Sequence, residues 1–174
     1  PLRYWFDMRR GLDGDPPPTE VPAGLEVRPY DPALDEAVRV AHNEAFEDHW
    51  GSSERSEEDW RIWYVGRNFR PDLSFVAIDG EEVAGYLLTD YYAAEVAASG
   101  RHEAWVNAVG TRRRWRGRGV ARALLVSALR AYRDAGLERG ALVVDAANPS
   151  GALGLYERLG FKTHMTTISY AKPI

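Results

Sequence analysis

The chain has 174 residues, 45% of them apolar and 28% charged, which suits one compact domain and excludes a disordered chain. A formal charge of −4 argues against a general nucleic-acid binder. The absence of cysteine excludes disulfides and thiol chemistry, and His42, His49, His102 and His164 show no i, i+4 ligand pair, so no protein-held metal is expected.

Residues 1–10, PLRYWFDMRR, read as an aromatic, strand-like segment without the apolar stretch of a signal peptide. They are followed by a Pro/Gly-rich linker, 11–24, with three consecutive prolines. The body of the chain, 25–174, holds no apolar run of the roughly 20 residues that span a bilayer, so a cytoplasmic protein with no membrane partner is expected. The chain starts at Pro1 without an initiator Met, which points to a fragment of a longer protein.

LEVRPY (25–30) alternates as a strand does, and Asp31-Pro32 then opens a helix running to about Trp50. Ser56 with Glu57, Glu58 and Asp59 starts a second helix whose apolar face is Trp60, Trp63 and Tyr64. Residues 73–79 and 82–95 read as a hairpin turning at Gly80-Glu81, with a third strand from Glu103 to Thr111. Apolar residues from Val120 to Tyr132 recur at helical spacing up to Gly136, and ALVVD (141–145) reads as a buried strand. A last helix, Gly151 to Leu159, follows Asn148-Pro149-Ser150, and a final strand runs from Phe161 to about Ala171. The expected class is α/β (α+β): a mixed sheet with helices on both faces.

Between the third strand of the meander and the long helix stands RRRWRGRGVARALL (112–125). Gly117 and Gly119 let the backbone turn tightly toward a ligand, and a helix begins there with unpaired N–H groups and a positive dipole end. Five arginines between 112 and 118 suit bidentate phosphate contacts. No P-loop pattern is present, and the loop follows an antiparallel meander rather than the first strand of a Rossmann unit. A solvated basic turn, or a nucleic-acid patch around Trp115, is the competing reading.

Two motifs carry a family resemblance. Arg116-Gly117-Arg118-Gly119-Val120-Ala121 is similar to the Arg/Gln-x-x-Gly-x-Gly/Ala signature of the GNAT N-acetyltransferases, and NPSGALGLYERLGF (148–161) resembles their Asn-led helix. The resemblance implies a GNAT fold with a splayed central sheet, acetyl-CoA (coenzyme A) as cosubstrate, and acetyl transfer to an amine. It places the CoA pyrophosphate on the amides of Gly117, Arg118, Gly119, Val120 and Ala121, with Arg116 as the signature side chain. It places the pantetheine arm along the backbone at Val109 and Thr111, where the family's fourth strand bulges, with Asn148 facing it. Tyr156 falls at the position of the general acid that protonates the thiolate.

A base must also deprotonate the acceptor ammonium. Counted from Arg116, the family's eleventh and ninth preceding positions are Trp105 and Asn107, neither of which is a base. Strand alternation puts 103, 105 and 107 on one face, so Glu103, about 7 Å beyond Trp105, becomes the choice through a water chain, with Asp145 as the competitor. Asp48, Glu54, Glu57, Glu58 and Asp59 border the acceptor side and suit a cationic amine, or simply cap and solvate helix ends. The expected partner is a small-molecule or peptide amine, with no nucleic acid. The alternative is a CoA-binding half without catalysis, in a structural or regulatory role. Because FKTHMTTISYAKPI (161–174) echoes PLRYWFDMRRGL, the chain resembles the C-terminal half of tandem-GNAT proteins. Residues 1–10 would then end a preceding domain and pair with an edge of this sheet or pack on it. A second GNAT domain or a homodimer is the expected assembly.

Overall fold

The computed structural model describes residues 2–49, 51–148 and 150–170. The expected end of the first helix at Trp50, Pro149 in the turn before the last helix, and Ala171 at the end of the last strand lie outside these described residues.

The elements are β1 (Arg3–Gly11), β2 (Glu26–Pro29), α1 (Asp35–Phe46), α2 (Glu57–Trp63), β3 (Phe75–Asp79), β4 (Glu82–Asp90), α3 (Ala93–Ser99), β5 (Glu103–Thr111), α4 (Val120–Asp134), β6 (Arg139–Asp145), α5 (Ala152–Arg158) and β7 (Lys162–Ser169). All seven strands form one mixed sheet in the order β2-β3-β4-β5-β6-β1-β7. Every pairing is antiparallel except that of β5 with β6.

Local chemistry accounts for most of these boundaries. Asp31 caps a 3-10 turn at Pro32–Leu34, its carboxylate accepting from the Ala33 N–H, before α1 proper begins at Asp35. Ser56 caps α2 by accepting from the Asp59 N–H. Gly119 at φ +90 sets the turn into α4, and Gly136 at φ +75 ends it. α1 stops at Phe46, short of the expected Trp50.

The structure corrects four further expectations. The stretch 82–95 is not one strand: β4 ends at Asp90, and the alanine-rich 93–99 forms α3, closed by Gly100 at φ +69. The ALVVD strand is not buried throughout: Val143 is 53% exposed. Trp63 is 65% exposed, so Trp60 alone anchors α2 in the core. Residues 3–11 join no edge of the sheet. β1 is inserted between β6 and β7, pairing Phe6 with Val144 on one side and with Thr166 on the other.

Two apolar layers cover the sheet. On one face α4 and α5 pack Leu124, Leu125, Leu129 and Tyr156 with Met8, Leu142, Val144 and Phe161. On the other, α1 and α2 pack Val38, Ala41 and Trp60 with Tyr86 and Leu88. Burying side chains of this size stabilises the fold by about 1.5–3 kcal/mol each.

Candidate acetyl-transfer site

The site begins with a defect in the sheet. Leu88 pairs with Ala108 but Thr89 pairs with Val106, so Asn107 is an extra residue, a β-bulge. The bulge inverts the alternation of β5: Ala104 and Val106 belong to the α4-side core, whereas Ala108 belongs to the α1-side core. At the same point β5 leaves β6, whose parallel pairing ends at Val106 with Leu142. Bulge and separation coincide at Asn107, somewhat before the expected Val109 to Thr111.

Beyond Asn107 one edge of β5 has no partner strand among the described residues. Arg112 donates its N–H to the Ala84 carbonyl on the β4 side. By the alternation of an antiparallel ladder, Gly110 and Ala108 also face β4, and Val109 and Thr111 turn their backbone groups into the gap. An extended ligand arm can pair there as an added strand does. The Thr111 carbonyl already accepts from Arg116 Nε at 3.2 Å.

Below the gap, Gly117 (φ +74) and Gly119 (φ +90) lead into α4, and a Cβ built on either would meet no atom within 4 Å. The glycines therefore keep open the space in front of the first N–H groups of α4, as a pyrophosphate requires. The arginines divide into two sets. Arg112 binds Glu44 at 2.6 Å, Arg113 binds Asp48 at 2.6 Å, and Arg114 reaches Glu82 at 3.4 Å, so these three tie the loop to α1, to the turn that follows it and to the start of β4. Arg116 and Arg118 hold backbone carbonyls, of Ala45 and Ala23 respectively, and bind no carboxylate among the described residues. Trp115, far from stacking on a ligand, is buried, with its indole N–H on Asp79 at 2.8 Å.

Tyr156 of α5 is buried on the α4 face, in edge contact with the Phe161 ring. Burial pushes its hydroxyl up to about 12. Asn148 spends its side-chain carbonyl on the Ser150 N–H, in the turn before α5.

On the α1 face, Glu103 and Trp105 line a cavity of about 290 Å³ together with Arg9 of β1, Tyr92, Glu95 and Arg101. Glu103 Oε2 accepts from Arg9 Nε at 3.0 Å, and Oε1 lies 3.5 Å from Arg139 Nη1. The Arg9 guanidinium lies 4.3 Å over the Trp105 ring. Asn107 points the same way, its amide donating to the Trp63 carbonyl at 3.0 Å and to Asp90 Oδ2 at 2.7 Å. Asp145 is committed elsewhere, to Arg3 at 2.9 Å and the Ala147 N–H. Of the acidic residues near the first helices, Asp48 pairs with Arg113, Glu57 with Arg61, and Asp59 accepts from Ser56 Oγ.

One signal in the sequence had pointed to Glu103 more directly. The glycine signature has two residues between its basic position and its first glycine, so counting back from Gly117 starts the motif at Arg114 rather than Arg116. The eleventh position before Arg114 is Glu103. Asp90 and Arg9, by contrast, carry no sequence signal of a site.

A model of the acetyltransferase (GNAT) family matches residues 36–161. The mycothiol acetyltransferase of Streptomyces scabiei (strain 87.22) is 37% identical over 171 residues, 97% of this chain and 53% of that protein. The chain spans about half the length of the curated relatives it matches. A solved GCN5-related N-acetyltransferase from Sphaerobacter thermophilus superposes with a TM-score of 0.76 at 31% identity, over 95% of this chain and 50% of that one. The fold also matches AAC(6')-Iy in complex with a CoA-containing bisubstrate analogue, with a TM-score of 0.60 at 16% identity over 86% of this chain and 99% of that one. The chain belongs to the GNAT family of N-acetyltransferases, whose acetyl donor is acetyl-CoA.

Proposed function

We propose that the protein transfers the acetyl group of acetyl-CoA to the primary amine of a small molecule or peptide. The observation that carries this reading is the opening between β5 and β6. A free backbone edge and a helix N-terminus border the opening, and a cavity lined by Glu103, Trp105, Tyr92 and Arg9 lies on the α1 face over the part of β5 that still pairs with β6. When bound, acetyl-CoA supplies a thioester carbonyl at the bulge. The N–H groups of Gly117 to Ala121 hold its pyrophosphate, with Arg116 and Arg118 beside them, while Val109 and Thr111 pair with the pantetheine arm and Asn148 flanks it from the β6 side.

Tyr156 and Glu103 approach from opposite faces of the sheet and act together only where the strands part. The reacting nitrogen loses two protons. Glu103 takes one through water, leaving the amine neutral for attack. The other compensates Tyr156, whose hydroxyl gives its own proton to the sulfur as the carbon–sulfur bond breaks. Burial suits Tyr156 to this task because it keeps the hydroxyl protonated until a thiolate forms.

A screen of primary amines with acetyl-CoA, read by the release of free CoA thiol, tests the reading. Relatives named mycothiol acetyltransferase put a mycothiol-related amine first in the panel. Turnover with at least one amine supports the enzyme. Tight acetyl-CoA binding with no turnover across the panel favours the non-catalytic half.

We also read the chain as one half of a two-domain plan, supported by its covering about half of its relatives. On this reading residues 1–10 continue from a preceding domain, and β1 (Arg3–Gly11) is the strand that this continuation lends to the sheet.

A further inference from the structure

Among the described residues three carboxylates are buried: Asp7, Asp90 and Asp145, at 8%, 7% and 3% exposure. Asp7 has Arg9 and Asp145 has Arg3. Asp90 has no cation among the described residues. Its Oδ2 accepts from the Asn107 amide at 2.7 Å and from the Tyr92 hydroxyl at 3.2 Å, both neutral donors. Oδ1 accepts no hydrogen bond among the described residues. A buried carboxylate without a positive partner is costly, and its presence needs a reason.

Its location supplies one. Asp90 ends β4 directly opposite Trp105, so the two side chains share the α1 face of the sheet. Its hydrogen-bond partner Asn107 is the bulge residue at which β5 and β6 part. Its other partner, Tyr92, and its cross-strand neighbour Trp105 both line the 290 Å³ cavity, their rings meeting edge to face at 6.3 Å. Asp90 caps no helix: the first turn of α3 is closed onto the Tyr92 carbonyl instead.

We propose that Asp90 is the specificity-determining residue for the acceptor: its Oδ1 binds the substrate's ammonium group at the mouth of the β5–β6 opening. The missing cation is then the substrate itself. Asn107 and Tyr92 fix the carboxylate plane, so the nitrogen is held beside the bulge while the rest of the acceptor extends between Tyr92 and Trp105 toward Arg9 and Arg101. Burial raises the Asp90 carboxyl above its ordinary range although both donors pull it down, as expected of a carboxylate short of a positive partner. The favoured substrates are small primary amines that are protonated in solution, with hydrogen-bonding groups for the two guanidiniums at the far end of the cavity. This assignment rests on the acetyl-transfer reading above and adds to it the group that selects the amine.

The experiment compares ethanolamine, a cation at neutral pH, with hydroxylamine, a nucleophile uncharged there, in the wild type and in Asp90→Asn. In the variant, kcat/KM for ethanolamine falls roughly thirtyfold, the range expected for a lost hydrogen bond to a charged group. Hydroxylamine turnover and acetyl-CoA affinity stay within about threefold, which also reports an intact fold. Equal loss for both nucleophiles, or loss for neither, overturns the proposal. A readout independent of turnover is the side-chain amide NMR signal of Asn107 in the acetyl-CoA complex. Ethanolamine shifts it in the wild type and leaves it in place in D90N, and a wild-type signal that ethanolamine does not move also overturns the proposal. Failure of the wild type to bind acetyl-CoA at all would instead defeat the acetyl-transfer reading.

Discussion

On the α4 side of the β5–β6 opening the protein offers backbone, and on the α1 side it offers side chains. On the proposed reading the donor side is the free edge at Val109 and Thr111 and the N–H groups in front of Gly117 and Gly119, with Tyr156 beside them. The acceptor side, on the same reading, is Asp90 from β4, Glu103 and Trp105 from β5, and Arg9 from β1. Backbone groups are the same whatever residues carry them, so such a surface tolerates sequence change wherever the turn does not demand glycine, and suits one unvarying ligand. A surface of side chains changes its preference with each substitution, and suits the partner that has to be chosen.

The contrast predicts where each substitution acts. The largest effect belongs to Gly119→Val. A β-branched residue at φ +90 is strained by about 1–2 kcal/mol and fills the space before α4, so acetyl-CoA affinity drops roughly a hundredfold by calorimetry. Unchanged affinity would remove the backbone from the donor side. Tyr156→Phe lowers kcat by roughly a hundredfold with acetyl-CoA affinity within about twofold, since only the proton donor is lost. Because the hydroxyl is pushed up to about 12, the wild-type pH–rate profile shows no limb from Tyr156 across the neutral range.

Arg9→Ala frees Glu103 and uncovers Trp105, costing about tenfold in kcat/KM for the acceptor while sparing acetyl-CoA binding. An effect on acetyl-CoA alone would place Arg9 on the wrong side of the comparison. Arg113→Ala gives the smallest change. Its guanidinium is spent on Asp48 and Glu47, so acetyl-CoA affinity stays within about twofold despite the lost charge near the loop.

The same division explains what could be read in advance. Most of the proposed donor side, with the residues that flank it, lies in two short stretches, 116–121 and 148–161, where glycines and an Asn-led helix signal their geometry locally. The acceptor side depends on register. Asp90 sits inside a stretch, 82–95, that reads as one hairpin strand, and only the end of β4 there and the bulge at Asn107, 17 residues on, set it beside the bulge. The charge of Arg112 to Arg114 was plain, but the partners that neutralise it come from α1 and from Glu82. Residues 3–11 were recognisable as a strand from their aromatic and apolar content. Their slot between β6 and β7 was not, because no local pattern reports which distant strands leave a gap.

That inserted strand also shapes how the molecule forms. β1 is made first, yet one of its two neighbours, β7, is made last, with Arg3 opposite Ser169. Such long-range pairing closes a loop of nearly the whole chain and is expected to slow folding. Until β7 emerges from synthesis, β1 has at most one partner and an open edge. Arg9 rides on this strand opposite Ala141 of β6, so the acceptor cavity is completed only when β1 docks on β6. A chain that has folded around α4 but not yet seated β1 would already present the donor surface, while still lacking one wall of the chamber that chooses the amine.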